Sequence, residues 1–193
     1  MITGATPGPD GRLRCPWALS APEYLAYHDD EWGRPVTTGQ GIYERMTLEA
    51  FQSGLSWITV LRKRENFRRA FAGFQPKIVA HFTEDDVARL LSDPGIIRNR
   101  AKITAAIENA RLVVDLGPRF AELVLEHRVV GRHRPGPGES RATSSESVAL
   151  ARELKALGFR FFGPTTAYAM MQAIGLVDDH VAGCFAPPPV WPE

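Results

Sequence analysis

Two groupings in the sequence have residue types and spacings that could do chemistry. The first is a carboxylate among apolar positions. In the segment GIYERMTLEAFQSGLSWITVL, residues 41–61, a helical turn puts Ile42, Met46, Glu49 and Ser53 on one side. Glu49 therefore shares a stripe with apolar residues, where a carboxylate is costly unless a cation or a hydrogen-bond donor meets it. Trp57 follows after a Gly54–Leu55–Ser56 break, and Trp17, Tyr24, Tyr27 and Trp32 lie upstream. Aromatic faces attract a cation through their quadrupole, and a carboxylate adds charge and acceptors, so this set suits a flat cationic ligand. The same pattern also fits a partly exposed Glu49 beside aromatics that only fill a core.

The second grouping joins the two ends of the chain. The sequence has 2 cysteines, and each has a histidine at ligand-like spacing: Cys15 with His28, and Cys184 with His180. His180 and Cys184 would share a face of a helix. Cys2His2 is a natural tetrahedral set for zinc, and four protein ligands leave no open position, which marks a structural ion, one per chain. Such an ion would tie the termini together and stabilise the fold. The alternatives are a disulfide closing a long loop, which a reducing cytoplasm disfavours, and histidines that are simply buried.

The elements that must position these residues read as helices throughout. A short helix is expected over Pro22–Trp32, a longer one over Gly41–Gly54, and another over Glu65–Phe74. Thr83 is a plausible N-cap for TEDDVARLL, with acids in its first turn. NRAKITAAIENARLVVDL places Ile103, Ala106, Ile107, Ala110 and Val114 on one stripe of a long amphipathic helix. A further helix runs from Ser144–Ser145 to Leu157 and stops at Gly158; the last starts at Pro164 and ends before Gly175. No segment alternates convincingly as a strand. Val129–Ser145, rich in Gly, Pro, Ser and Arg, reads as an exposed loop between halves. The expected division is a flexible extension over residues 1–14, one all-α domain of two helical lobes over 15–186, and a Pro-rich tail over 187–193.

Composition narrows the class. The 193 residues are 44% hydrophobic and 23% charged, as in an ordinary soluble globular protein, and the net charge is only +1. Basic residues are nonetheless clustered, in RKRENFRR at 62–69 and at Arg98, Arg100 and Lys102, where they could engage phosphates or form solvated helix faces. Residues 1–14 lack the apolar stretch of an export signal, and no run approaches the roughly 20 apolar residues of a membrane span. A cytoplasmic monomer without a membrane partner is expected.

Together, CPWALSAPEYLAYHDDEWGRP, LEAFQSGLSWITVLRKRENFRRAF, GIIRNRAKI and GFRFFGPTTAYAMMQAIGLVDDHVAGC resemble the 3-methyladenine DNA glycosylase I family, over essentially Arg14 to Cys184. The resemblance implies a helix-hairpin-helix glycosylase fold, a zinc site at Cys15, His28, His180 and Cys184, and double-stranded DNA carrying alkylated bases as partner. It implies that Glu49 contacts the excised base, acting with Tyr27 in catalysis, and that Tyr27 and Trp57 line the base pocket with Trp17 beside them. SDPGIIRNRAKI looks like the hairpin and second helix of the DNA-binding motif, although it departs from the usual two-glycine pattern; Gly95, Arg98, Arg100 and Lys102 become candidate backbone contacts. Gly54 and Leu55 are candidates to fill the gap left by an extruded nucleotide.

The implied reaction is monofunctional hydrolysis of a glycosidic bond, with no lyase lysine. Related helix-hairpin-helix glycosylases carry a catalytic aspartate in V-D-x-H, and Asp178 stands at that place here; its other reading is a structural acid next to a zinc ligand. Competing readings are a non-catalytic DNA-binding module, a glycosylase with shifted base choice, and a zinc-stabilised helical interaction protein.

Overall fold

Helices dominate the computed structural model, which describes residues 4–131 and 134–192. Helix α1 (Pro22–Asp30) begins at a proline, whose missing amide costs nothing in a first turn. Helix α2 (Gly39–Gln52) is capped by Thr38, whose hydroxyl accepts from the Gly41 amide. Helix α3 (Trp57–Ala70) follows a short turn, then come α4 (Pro76–Val79) and α5 (Glu84–Ser92), the latter with three acids in its first turn. Helix α6 (Arg100–Leu116) is capped by Asn99, and α7 (Pro118–Glu126) follows directly. Helix α8 (Ser145–Ala156) has a reciprocal Ser144–Ser147 cap, and α9 (Pro164–Ala173) again starts at proline. No helix among the described residues is long and apolar enough to cross a membrane.

Helix α2 lies at the centre and packs against α3, α6, α7 and α9. Its Ile42, Tyr43, Met46 and Phe51 are fully buried, and the Tyr43 hydroxyl donates to the Ala106 carbonyl of α6 at 2.9 Å. Phe51 continues into a cluster with Phe67, Phe71 and Phe74. A second, smaller core gathers Cys15, Val181, Cys184 and Ala186 under Trp17 and Trp32, so the chain's two ends pack together.

Three expectations need correction. First, strands do occur: β1 (Thr6–Pro7) pairs antiparallel with β2 (Leu13–Arg14), too short a pairing to show alternation in sequence. The buried Arg14 holds this hairpin in place, its guanidinium bonding both Asp10 and Asp29, so residues 6–14 of the expected flexible extension are docked, while residues 1–3 lie outside the described residues. Second, the third helix spans Trp57–Ala70 rather than Glu65–Phe74. Its start, WITVL, is β-branched and apolar and looks unhelical alone, but packing of Trp57 and Val60 on the core overrides propensity. Its end is set by left-handed residues at Ala72, Gly73 and Phe74. Third, the loop between halves is not simply exposed. Pro135 is buried and its carbonyl accepts from Ala182, while Arg134 bonds the carbonyls of Cys184 and Ala186. Helices α4 and α7 were not foreseen, although Pro76 and Pro118 mark their first turns. The tail's Trp191 packs on the main core and meets the Arg128 guanidinium at 5.3 Å.

Two glycines permit the approach of the segments after α1 and α9. Gly175 has φ 73°, and a Cβ there would stand 2.7 Å from the Gly33 carbonyl oxygen; Gly33 has φ 77°, and its Cβ would stand 2.9 Å from His180 Nε2. Gly175→Ala is expected to lower unfolding stability by about 2 kcal/mol or more, through left-handed strain and backbone collision. Urea titration should show a lower midpoint with an unchanged slope; an unchanged midpoint contradicts the close approach.

Candidate active site

A cleft of about 540 Å³ opens between the N-terminal aromatics, α2, the start of α3 and the chain around α9. Trp17, Tyr24, Tyr27 and Trp32 come from the turn before α1, α1 itself and its exit, while Glu49 and Gln52 come from the last turn of α2. Tyr27 and Trp57 rings lie 5.5 Å apart, inclined at 45°. Trp17 stands edge-on to Tyr24 and Trp32 and 6.3 Å from Tyr27. The Tyr24 hydroxyl accepts from the Ile58 amide at 2.8 Å, pinning the first turn of α3 and with it Trp57.

Glu49 lies within this cleft at 5% exposure, and among the described residues no hydrogen bond or ion pair reaches its carboxyl group. Burial pushes its pKa up to about 8, against the pull of Arg45 one turn earlier on α2. Arg45 is already shared with Glu31 and Glu44, and Arg64 makes a two-pronged bond to Glu31 at 2.6 and 2.7 Å. Tyr27 is buried beside Glu49; burial, with the Glu49 charge adding, pushes its phenol far up, so the hydroxyl stays protonated. The Trp57 indole N–H is buried with no acceptor among the described residues. Unfilled acceptors and donors converging on an aromatic cleft are the mark of a place reserved for a ligand. The geometry therefore brings Glu49, Tyr27, Trp57 and Trp17 to one site, and favours the ligand reading of Glu49 over the partly exposed one.

Cys15, His28, His180 and Cys184 form one buried cluster whose ligand atoms all lie within 4.8 Å of one another. Cys184 Sγ stands 3.4 Å from His28 Nε2 and 3.7 Å from His180 Nδ1, and Cys15 Sγ stands 3.7 Å from the same His180 nitrogen. A tetrahedral ion at about 2.3 Å from sulfur and about 2.0 Å from nitrogen requires sulfur–nitrogen separations of roughly 3.5 Å. The donor set and spacing thus fit such an ion, and both cysteines are free of a disulfide. Around the cluster, Asp29 faces His28 Nδ1 at 2.8 Å and is itself held by Arg14, an outer arrangement that fixes ring orientation. His180 and Cys184 sit in turns rather than on a helix.

Other expected residues divide. Gly54 and Leu55 form the exposed turn between α2 and α3, Gly54 at φ 84° and Leu55 at 44% exposure. Gly95 lies in the α5–α6 turn, its amide donating to Asp93 and its carbonyl accepting from Asn66. Arg98 and Arg100 are exposed, the latter paired with Glu84. Lys102 is placed otherwise than expected: it is buried, and its ammonium donates to the Phe51 and Ser53 carbonyls at 2.9 and 2.6 Å. It caps the end of α2 behind the Gly54–Leu55 turn, because the last carbonyls of a helix lack internal partners. The 62–69 patch is largely spent within the protein, Arg62 on Glu23, Arg64 on Glu31, and Arg68 on Glu44 and Glu65.

Asp178 does not line the cleft; it pairs with Arg134 at 2.8 Å and accepts from the His180 amide, as a structural acid would. Its neighbour Asp179 does line it, bonded to Tyr168 and Gln172. The sequence reading missed Asp179; the signal was the polar pair Tyr168 and Gln172, one turn apart on α9, which is otherwise apolar after its first turn.

Comparison with known proteins finds relatives over most of the chain. A family model described as methyladenine glycosylase matches residues 17–187. DNA-3-methyladenine glycosylase 1 of Escherichia coli (strain K12) is 46% identical over 177 residues, covering 89% of this chain and 95% of that protein. A crystal structure of 3-methyladenine DNA glycosylase I superposes with a TM-score of 0.81 at 44% identity, covering 90% of this chain and 100% of that one. A structure of 3-methyladenine DNA glycosylase I from Staphylococcus aureus, concerned with 3-methyladenine recognition, gives a TM-score of 0.84 at 29% identity, covering 93% of this chain and 98% of that one.

Elemental analysis of protein purified without added metal is expected to find one transition-metal ion per chain. His180→Ala should lose the ion and melt at lower temperature. A content far below one equivalent in the native chain contradicts the ligand set.

Proposed function

The chain belongs to the methyladenine glycosylase family, and from that premise we propose that it hydrolyses the N-glycosidic bond of 3-methyladenine in alkylated double-stranded DNA. The observation that carries the reading is Glu49, a buried carboxyl group without a partner among the described residues, set among aromatic faces. An adenine methylated at N3 is positively charged while attached to deoxyribose and leaves as a neutral molecule. Its bond is already weak, so the protein needs little acid catalysis. It must extrude the nucleotide, hold the base and stabilise the positive charge that moves onto the sugar as water attacks.

Glu49 takes the edge of the flipped base, while Tyr27 and Trp57, whose rings stand 5.5 Å apart, form one aromatic wall against its face and Trp17 closes the side. The charge of the damaged base lowers the cost of an ionised Glu49; undamaged adenine brings none, which gives selectivity. The proposed reaction is hydrolysis without a lyase step. The α5–α6 turn serves as the hairpin of a helix-hairpin-helix motif, with Gly95, the first amides of α6, Arg98 and Arg100 on phosphates. Gly54 and Leu55 enter the duplex where the nucleotide has left.

Cys15, His28, His180 and Cys184 would hold zinc, which supplies a rigid tie between the two ends of the chain. That tie supports one glycosylase domain over residues 15–186, with the aromatics before and within α1 held against α9.

DNA treated with a methylating agent tests the reading. Wild type is expected to release 3-methyladenine, and Glu49→Gln to lose roughly a hundredfold or more in kcat/KM. Because burial raises Glu49, wild-type kcat/KM should climb as pH rises through about 8 and the carboxylate forms, and the climb should vanish in Glu49→Gln. A wild type that binds DNA but releases no base contradicts the reading and favours a non-catalytic binding module.

A further inference from the structure

Base recognition leaves a second carboxylate in the cleft unexplained. Asp179, just after α9, lines the same space as Glu49, Tyr27 and Trp57. Its side chain is only 6% exposed. Oδ2 accepts from the Tyr168 hydroxyl at 2.5 Å and from the Gln172 amide at 2.9 Å. These donors stand one turn apart on α9 and fix the plane of the carboxylate. Among the described residues Oδ1 has no hydrogen-bond partner. Arg141 Nη1, from the loop that borders the cleft, stands 3.8 Å from it, too far for a hydrogen bond, and is itself unsatisfied. An ion pair built only for stability gains most when it closes to direct contact. Here both members keep unfilled capacity at the wall of a ligand cleft.

The reaction has a use for such an oxygen. When the C1′–N9 bond breaks, its electron pair leaves with the base, which departs neutral, and positive charge passes to C1′ and the ring oxygen. Water then bonds to C1′ and must shed a proton. A fixed carboxylate facing that carbon stabilises the charge and accepts the proton. Glu49, engaged with the base edge, cannot serve both ends of the nucleotide.

We propose that Asp179 is the catalytic carboxylate of this chain, its Oδ1 facing the developing cation at C1′ and taking the proton of the attacking water. Tyr168 and Gln172 are positioning residues. Arg141 is the resident countercharge, drawn onto a phosphate of the target strand when DNA binds. The proposal rests on the glycosylase reading above.

Single-turnover excision from methylated DNA at saturating enzyme tests it, alongside thermal melts, DNA binding, and binding of free 3-methyladenine followed by tryptophan fluorescence. Asp179→Asn keeps acceptors for Tyr168 and Gln172. It is expected to slow excision roughly a hundredfold with the melt unchanged and free-base affinity within about twofold of wild type. Arg141→Gln should weaken DNA binding, with a single-turnover rate loss well below that of Asp179→Asn. Should the Asn variant melt below assay temperature, Asp179→Ser is read by the same criteria. Excision by a folded Asp179 variant at the wild-type rate overturns the proposal. So do equal rate losses in the Asp179 and Arg141 variants, which mark a structural latch, or a rate loss matched by loss of free-base affinity. A wild type that releases nothing instead defeats the glycosylase reading, and this proposal with it.

Discussion

An acid buried without a partner is an unstable arrangement for a protein to keep. Glu49 gives up hydration in the cleft and, among the described residues, receives no hydrogen bond or ion pair in return. The sign of the consequence is definite. Its folded pKa, raised to about 8, means the native state keeps a proton that the unfolded chain releases near 4.5, so stability falls as pH rises between those values. A cation entering the cleft beside Tyr27 and Trp57 would reverse the penalty. The surrounding structure keeps internal cations from doing so first: Arg45 and Arg64, the nearby candidates, are held by Glu31. Lys102, at the same end of α2, is turned onto the carbonyls of Phe51 and Ser53.

Holding such a site open requires rigid walls. The aromatic wall is carried by the turn before α1 and α1 itself, far in sequence from α9, which carries the opposite wall. The Cys15–His28–His180–Cys184 cluster lies where these two regions meet, and Gly33 and Gly175 let their backbones approach without a side chain between. The Arg14–Asp29–His28 chain extends that junction to the N-terminal hairpin. On the proposed reading the cluster's role is mechanical, and its loss would be felt as misplacement of Trp17 and Tyr27 before any change in the chemistry of the base.

How much of this was readable in the residues depends on the range of the signal. Helices with strong caps and stripes, such as α6 behind Asn99 and α9 between Pro164 and Gly175, follow from local rules. The periodicity around Glu49 placed a carboxylate on a buried face, yet the same periodicity fits a solvated one; only the absence of partners, a tertiary fact, distinguishes them. Four ligands could be paired within each end of the chain, but their convergence is not a local property. The docking of β1–β2 and the turning-in of Lys102 depend on partners many residues away. Asp178 and Asp179 are adjacent and chemically identical. Which one faces the cleft is decided by how the chain turns after α9, information carried by no spacing rule.

The most direct test is the protonation of Glu49 itself. Carboxyl-carbon NMR of protein labelled at glutamate, assigned with Glu49→Gln, can follow that one group through a pH titration with and without 3,9-dimethyladeninium, a permanently cationic mimic of the methylated nucleotide base. A midpoint near 8 in the free protein, falling by several pH units when the cation binds, is the result expected. A midpoint in the ordinary carboxylate range, unmoved by the cation, would mean that water or an internal donor already satisfies Glu49, and that the cleft recognises its ligand by other means.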